Sequence, residues 1–394
     1  MDAGAQKQHL KAYGIAYFVL SKQQKVDWLL NYRGGSFVFD HYLEFEKECK
    51  IRDVSYEVLP DVKYTAILEE IADPDVNMDI VRLEKTPKIA VYTPDSKLPW
   101  DDAVTMALTY AEIPFDKVYD TELLEDKLVL YDWLHLHHED FTGQYGKFYA
   151  AFHTAPWYQE DVKKNEAMAR KHGFDKVSQL KLAVAKKIKE FVIGGGYLFA
   201  MCSATDSYDI ALSAEGVDIC ERMYDGDAMD PQAQQKLDYN KTLTFKDYRL
   251  VTNPMEYEYS DIDMTNQRRI PFQSDYFTLF TFSAKFDPVP SMLTQNHTTT
   301  IKGFMGQTTA FKSSLIKSST TILGDNKAAG EARYIHGNLG KGTWTFFGGH
   351  DPEDYQHQVE DPPTDLSLHP SSPGYRLILN NVLFPAAKKK PQKT

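Results

Sequence analysis

From residue 89 onward, short apolar runs alternate with longer stretches whose apolar residues recur at helical spacing. Ile89 to Tyr92, Phe115 to Tyr119 and Tyr131 to Leu136 read as strands. Trp100 to Ala111, Val162 to Lys171 and Val177 to Val192 read as helices, the first starting near Asp101. Gly194, Gly195 and Gly196 close the last of these, because glycine tolerates the left-handed conformation that ends a helix. Tyr197 to Met201 then reads as a buried strand, and a following helix carries Ile210 and Leu212 inward with Asp206 and Ser207 as its cap. Strands and helices alternating at this interval predict an α/β fold, a doubly wound and mostly parallel sheet.

Around this block the pattern is looser. Residues 5 to 21, with Leu10, Tyr13, Tyr17, Phe18 and Leu20, read as an amphipathic helix. Val26 to Leu30 and Tyr56 to Leu59 read as strands, Phe37 to Phe39 as an apolar run, and Glu44 to Cys49 and Tyr64 to Ile71 as helices. Lys85-Thr86-Pro87 reads as a connector, which divides the chain into an N-terminal α/β extension (1–86) and a main domain (87–394). An α/β chain usually begins with a strand and this one begins with a helix, a pattern that a missing leader and first strand would explain. The compartment therefore stays open between cytoplasm and export. From Glu221 to Pro271 the rhythm is lost in a stretch rich in Asp, Tyr and Asn, read as an irregular insertion near 221–271. Tyr276 to Phe282, Ile301 to Phe304, Thr320 to Leu323 and Trp344 to Phe347 return as strands, and Tyr375 to Leu383 as a closing helix.

Composition narrows the function classes. The 394 residues are 42% hydrophobic and carry 44 basic against 56 acidic side chains, a formal net charge of −12. A chain of this length and apolarity buries a sizeable core, and its acidity argues against nucleic acid as a partner. The basic tail Lys388, Lys389, Lys390 and Lys393 reads as a solvated end. No apolar run approaches the roughly 20 residues of a membrane span. Cys49, Cys202 and Cys220 lie far apart, with no CxxC motif. Asn240-Lys241-Thr242 and Asn296-His297-Thr298 match the short glycosylation pattern, which arises often by chance. Trp100, Trp133, Trp157 and Trp344 read mostly as core, with stacking on sugar rings as the functional alternative.

Two places concentrate chemistry. Cys202 follows the Tyr197 to Met201 strand, with Ala200 and Ala204 two residues away on either side. A strand that turns sharply into a helix between small neighbours has the logic of a nucleophile elbow, and a helix N-terminus would lower the thiol pKa. The second is His135-Leu136-His137-His138-Glu139-Asp140 at the end of a strand, where alternation sends His135 and His137 to one face and lets them share a divalent metal. No organic cofactor motif is present. In doubly wound sheets ligands bind beyond the carboxyl ends of the strands, so one crevice holds both groups.

GGGYLFAMCSATDS and GKGTWTFFGGHDPEDY, with NNVLFPAA beyond, resemble the two signature regions of the ThuA-like proteins, members of the class I glutamine amidotransferase-like superfamily. The resemblance spans roughly residues 87 to 390 and implies a flavodoxin-like sheet. It also implies a cysteine elbow paired with a histidine after a late strand and assisted by a carboxylate. On that pattern Cys202 attacks a carbonyl, His350 is its base, Glu353 or Asp351 orients the imidazole, and the Ser203 amide holds the oxyanion. Asp206, His137, His138 and Glu139 are then candidates for substrate binding. True glutaminases of the class carry glycine where Ala200 and Ala204 stand, and a glutamine where Asp206 stands. Their His-Pro-Glu is here His350-Asp351-Pro352-Glu353. The whole chain is also similar to bacterial proteins labelled asparagine synthetase B. The residues do not support that activity: residue 2 is Asp2 instead of a cysteine nucleophile, and Gly34-Gly35-Ser36 lacks the serine and aspartate of an SGGxDS loop. The expectation is a hydrolase or amidotransferase-like enzyme on a small polar substrate, with sugar derivatives among the candidates. The alternatives are a non-catalytic carbohydrate- or ligand-binding protein and a metal-dependent enzyme using the His135 to Asp140 cluster. Substrate identity and oligomeric state stay open.

Overall fold

The computed structural model describes residues 4–94, 100–287, 290–295, 298–355 and 358–388. Near the N-terminus, β1 (Val26–Leu30), β2 (Ser36–Val38) and β3 (Asp79–Leu83) form an antiparallel three-stranded sheet in the order β2-β1-β3. Tyr56 to Leu59, expected as a strand, is irregular: Tyr56 and Val58 stand exposed, so no layer covers the segment and no ladder forms. β3 takes the place in the sheet instead.

The main sheet has ten strands and is mixed. Its first members are β4 (Ile89–Tyr92), β5 (Asp116–Val118), β6 (Trp133–Leu136) and β7 (Tyr197–Met201), and then β8 (Tyr276–Leu279) and β9 (Thr300–Lys302). β10 (Phe311–Lys312), β11 (Thr321–Asn326), β12 (Glu331–Leu339) and β13 (Gly342–Phe347) complete it. The order is β5-β4-β6-β7-β13-β12-β11-β8-β9, with β10 also paired to β12. The five strands from β5 to β13 run parallel, and the rest extend the sheet antiparallel.

Helices cover both faces of the parallel block, which is why β4, β6 and β7 read as continuous apolar runs. On one face Ile89, Val91, Trp133, Phe199 and Phe347 pack under the helices His9–Ser21, Ala103–Tyr110 and Pro373–Leu383. On the other, Ala90, Tyr92, Leu134, Leu136, Leu198 and Phe346 pack under Pro156–Lys171, Val177–Gly194 and Asp206–Ser213. The core of the first face runs on into the N-terminal sheet through Trp28, Leu30, Val81 and Leu83. This contact corrects the expected amphipathic first helix: Leu10, Tyr13, Ala16 and Val19 are buried, but so are His9, Gly14 and Tyr17 on its other sides. Between 221 and 271 the helices are single turns, Arg222–Asp225 and Ala233–Lys236. No helix among the described residues is long and apolar enough to cross a membrane.

The chain goes from β4 outward to β5, then returns past β4 to β6 and continues the other way. The carboxyl ends of β4 and β6 therefore diverge, and such a reversal opens a crevice.

Candidate active site

Four neighbouring parallel strands deliver the polar groups of the crevice from their carboxyl ends. The segment after β4 brings Asp101 and Asp102, β6 brings His135, His137, His138 and Glu139, β7 brings Cys202, and β13 brings His350. Asp102 caps the helix Ala103–Tyr110, its Oδ1 accepting from the Thr105 amide at 2.8 Å. Asp140 folds the turn after β6 by accepting from the amides of Thr142, Gln144 and Gly146 at 2.6, 2.7 and 3.1 Å.

Cys202 has φ +53°, a left-handed conformation that non-glycine residues rarely take, and is 5% exposed. The turn is locked from both sides. The Cys202 amide donates to Gly349 O at 3.1 Å, and the Ala204 amide to His137 O at 3.0 Å. The amides of Ser203 and Gln307 face the sulfur. Burial outweighs them, and with the nearby Asp263 and Asp206 carboxylates it pushes the thiol up to about 12. The expected lowering by the helix N-terminus is thus overturned: the thiol is neutral. Asp206, expected as a helix cap, is the first helical residue. Its Oδ1 accepts from Thr308 Oγ1 at 2.9 Å, and its buried Oδ2 meets no hydrogen-bond partner among the described residues. Burial and the neighbouring Asp263 push its pKa well up.

The imidazoles of His137, His138 and His350 crowd together, with ring centroids 3.9 Å (His137 and His138), 4.9 Å (His137 and His350) and 4.8 Å (His138 and His350) apart. Their ligand nitrogens and Cys202 Sγ all lie within 4.8 Å of one another. The acids after β4 back these rings. His350 Nε2 bonds Asp101 Oδ1 at 2.7 Å, and His138 Nε2 bonds the Asp101 carbonyl. His135 bridges Phe199 O at 3.2 Å and Asp102 Oδ2 at 3.1 Å. His137 Nδ1 comes within 3.3 Å of Asp102 Oδ2, and its Nε2 has no hydrogen-bond partner among the described residues. Burial pushes His137 down to about 4 and His138 well below the usual histidine range, so both rings are neutral. For Asp102, burial is outweighed by His135 and His137, and its carboxyl stays well below the ordinary value.

The carboxylate that meets His350 is therefore Asp101, which corrects the assignment of Glu353 or Asp351. Asp351 turns to the closing helix and accepts from Tyr375 Oη at 2.5 Å, while Glu353 pairs with His369 at 3.2 Å and Tyr355 at 3.2 Å. A one-residue longer motif than His-Pro-Glu swings both acids away from the ring. Asp101 carried only a helix-start signal in the sequence, and Gln307 carried none. Gly306 belongs to the same segment: a Cβ there would lie 2.6 Å from His350 Cβ and 2.7 Å from its amide nitrogen, at φ +141°. Only glycine lets this segment pack on His350.

Beside His138 a cavity of about 40 Å³ is bounded by Trp100, Tyr119, Glu139, Asp161, Asn165 and Lys181. Burial pushes Glu139 up to about 8, which keeps it protonated at neutral pH. Trp100 and Trp157 pack edge to face at 5.4 Å by this opening, whereas Trp133 and Trp344 are core. A larger cavity, about 740 Å³, lies in the N-terminal part between Phe37, Phe45, Tyr56, Tyr64 and Arg82. The convergent ionisable groups are at the strand ends, and they decide where chemistry is sited. The three cysteines are free and buried. Asn296 and His297 of the second glycosylation pattern, and Lys389, Lys390 and Lys393 of the tail, lie outside the described residues.

No family model matches the chain, and no curated protein does. Among solved structures it is similar to a cytoplasmic protein from Salmonella typhimurium, at 10% identity over 77% of this chain and 100% of that one, with a TM-score of 0.36. A second cytoplasmic protein, from Salmonella typhimurium LT2, is 12% identical over 76% of this chain and 100% of that one, with a TM-score of 0.38. A β-galactosidase from Bacillus circulans sp. alkalophilus is 11% identical over 66% of this chain and 28% of its own, with a TM-score of 0.27.

Proposed function

We propose that this chain is a hydrolase or amidotransferase-like enzyme that acts on a small polar substrate through Cys202, His350 and Asp101. The observation that carries the reading is the backbone of Cys202. A cysteine held at φ +53° at the carboxyl end of a central strand is strained, and strain of this kind gathers at functional sites. A buried structural cysteine needs no such conformation. The order β5-β4-β6-β7-β13 supports reading the parallel block as a flavodoxin-like, class I glutamine amidotransferase-like sheet, in line with the ThuA-like signature regions.

Cys202 Sγ adds to a substrate carbonyl carbon while its proton passes to the His350 imidazole. The Asp101 carboxylate steadies the imidazolium, and the imidazolium returns the proton to the leaving group. Water then attacks the acyl-enzyme, losing its proton to His350, and the thiol is restored. The Ser203 and Gln307 amides are the donors nearest the developing charge. With a thiol at about 12, deprotonation accompanies attack instead of preceding it.

The test is acylation by a p-nitrophenyl ester followed by mass spectrometry. An acyl group on Cys202, absent from Cys202→Ser and at least a hundredfold slower to form in His350→Ala, is expected. A protein that never acylates at Cys202 supports the second reading, a ligand-binding protein that keeps the fold, which the buried neutral thiol favours.

A further inference from the structure

We propose that His137, His138, His350 and Cys202 form a binding site for a zinc-class divalent cation, and that this cation caps the nucleophile. The capping role rests on the reading of Cys202 given above; the cation site does not. The donor set is three imidazoles and a thiol brought together from the ends of β6, β7 and β13, with ligand atoms within 4.8 Å. Zinc bonds of about 2.0–2.1 Å to nitrogen and 2.3 Å to sulfur place tetrahedral donors roughly 3.3–3.7 Å apart, so side-chain adjustments of an ångström or less close the site. Nitrogen and sulfur donors without a carboxylate select a borderline-soft ion over magnesium or calcium.

Three features of the surroundings point the same way. Metal-bound histidines give their outer nitrogen to a carboxylate or a carbonyl. Here His350 Nε2 rests on the Asp101 carboxylate, His138 Nε2 on the Asp101 carbonyl, and His137 Nδ1 lies 3.3 Å from the Asp102 carboxylate. His137 is also 1% exposed and its Nε2 has no hydrogen-bond partner among the described residues, a cost that a coordinated cation removes. Its neighbour His135 is different, for Phe199 O and Asp102 hold both its nitrogens, and it serves as a backing layer. The third feature is a contrast: in the cluster Asp218, Cys220 and Asp225, the Lys176 ammonium already lies between the acids at 2.6 and 3.0 Å.

Binding replaces the thiol proton. Cys202–SH and M²⁺ give the metal thiolate and one proton, which goes to the buffer, with no change of oxidation state. Donation to the cation draws charge from the bound sulfur and lowers its nucleophilicity toward a carbonyl. Chelation reverses the block.

The experiment uses the full chain, stripped with EDTA and titrated with zinc chloride and separately with cobalt(II) chloride. One equivalent of zinc, about one proton released per ion, and a thiolate-to-cobalt charge-transfer band are expected. The band is lost in Cys202→Ser, and His137→Gln weakens zinc binding at least tenfold, with far-ultraviolet circular dichroism checking the fold of each. Zinc at one equivalent is expected to stop p-nitrophenyl ester acylation, and EDTA to restore it. No uptake by wild-type protein, or uptake that neither substitution changes, overturns the site while acylation still stands on its own. Uptake that speeds acylation overturns the cap. Zinc bound as expected with no acylation in the chelated protein refutes the nucleophile, and the cap with it, and keeps the site.

Discussion

The strained turn at Cys202 has a consequence for stability that separates it from an ordinary buried position. Cys202→Ala and Cys202→Gly both remove the sulfur, so the difference between them isolates the backbone and one methyl group. At a buried residue with ordinary φ, glycine is worse than alanine by about 0.5–1 kcal/mol of backbone freedom and by about 0.8 kcal/mol for the missing buried methyl. Together these make roughly 1.5 kcal/mol. At φ +53° the Cβ itself costs roughly 1–2 kcal/mol, which glycine is spared. The two contributions nearly cancel, so the variants are expected to agree within about 0.5 kcal/mol. Unfolding entropy near 2.1 cal/mol/K per residue over 394 residues is about 0.8 kcal/mol/K, so 1.5 kcal/mol corresponds to a Tm gap of about 2 °C. Scanning calorimetry in EDTA resolves that gap. Equal Tm values support a strained elbow, whereas a glycine variant about 2 °C below the alanine variant means that the backbone at Cys202 is relaxed and the functional reading loses its main support.

Gly306→Ala places a Cβ against the backbone of His350 at an unfavourable φ; it is expected to cost about 1–3 kcal/mol and slow acylation at least tenfold, read by ester kinetics beside thermal unfolding. Asp209 accepts from the amides of Leu243, Thr244 and Phe245 at 2.6, 2.9 and 2.9 Å in a buried setting, so Asp209→Ala strands three donors. A loss of at least about 3 kcal/mol in urea unfolding is expected, and a loss under 1 kcal/mol would show that water replaces the carboxylate. His137, pushed down to about 4, titrates in the unfolded chain first as pH falls. Its contribution is therefore intact above about pH 6.5 and lost between there and pH 4, on the order of 3 kcal/mol. His137→Gln is expected to flatten that part of the urea-midpoint profile, and an unchanged slope would place the acid sensitivity elsewhere.

The inner parallel strands β4, β6 and β7 were legible because burial on both faces writes them as largely apolar runs. Tyr197 to Met201 was read to the residue. β12, the longest strand, was not read at all, because it puts charge where the pattern calls for apolar side chains. Glu331 and Arg333 are buried in a network with Arg268 and Asp275, where Arg268 lies 2.9 Å from Glu331 and 2.5 Å from Asp275. β3 carries Asp79 and Arg82 among its apolar residues and received no reading as a strand. In the site, Cys202 and the histidines announced themselves by type and position. Asp101 did not, since its role depends on a reversal of strand order that only the folded sheet shows.

That reversal also bears on why one corner would suit both the proposed proton transfer and the proposed metal ion. Asp101 and Asp102 stand on one segment beside the histidines, and Asp206 and Asp263 stand near the sulfur. Positive charge arising on the imidazoles meets two acids at close range, whether it comes with the thiol proton during attack or with a bound cation. Negative charge on the sulfur meets the opposite situation, because burial and the second pair of acids oppose it. A free thiolate is therefore disfavoured in the corner, and positive charge arriving at the histidines offsets that cost. On the readings proposed above, proton transfer to His350 as the sulfur attacks and displacement of the proton by a bound cation are two ways of meeting that one condition.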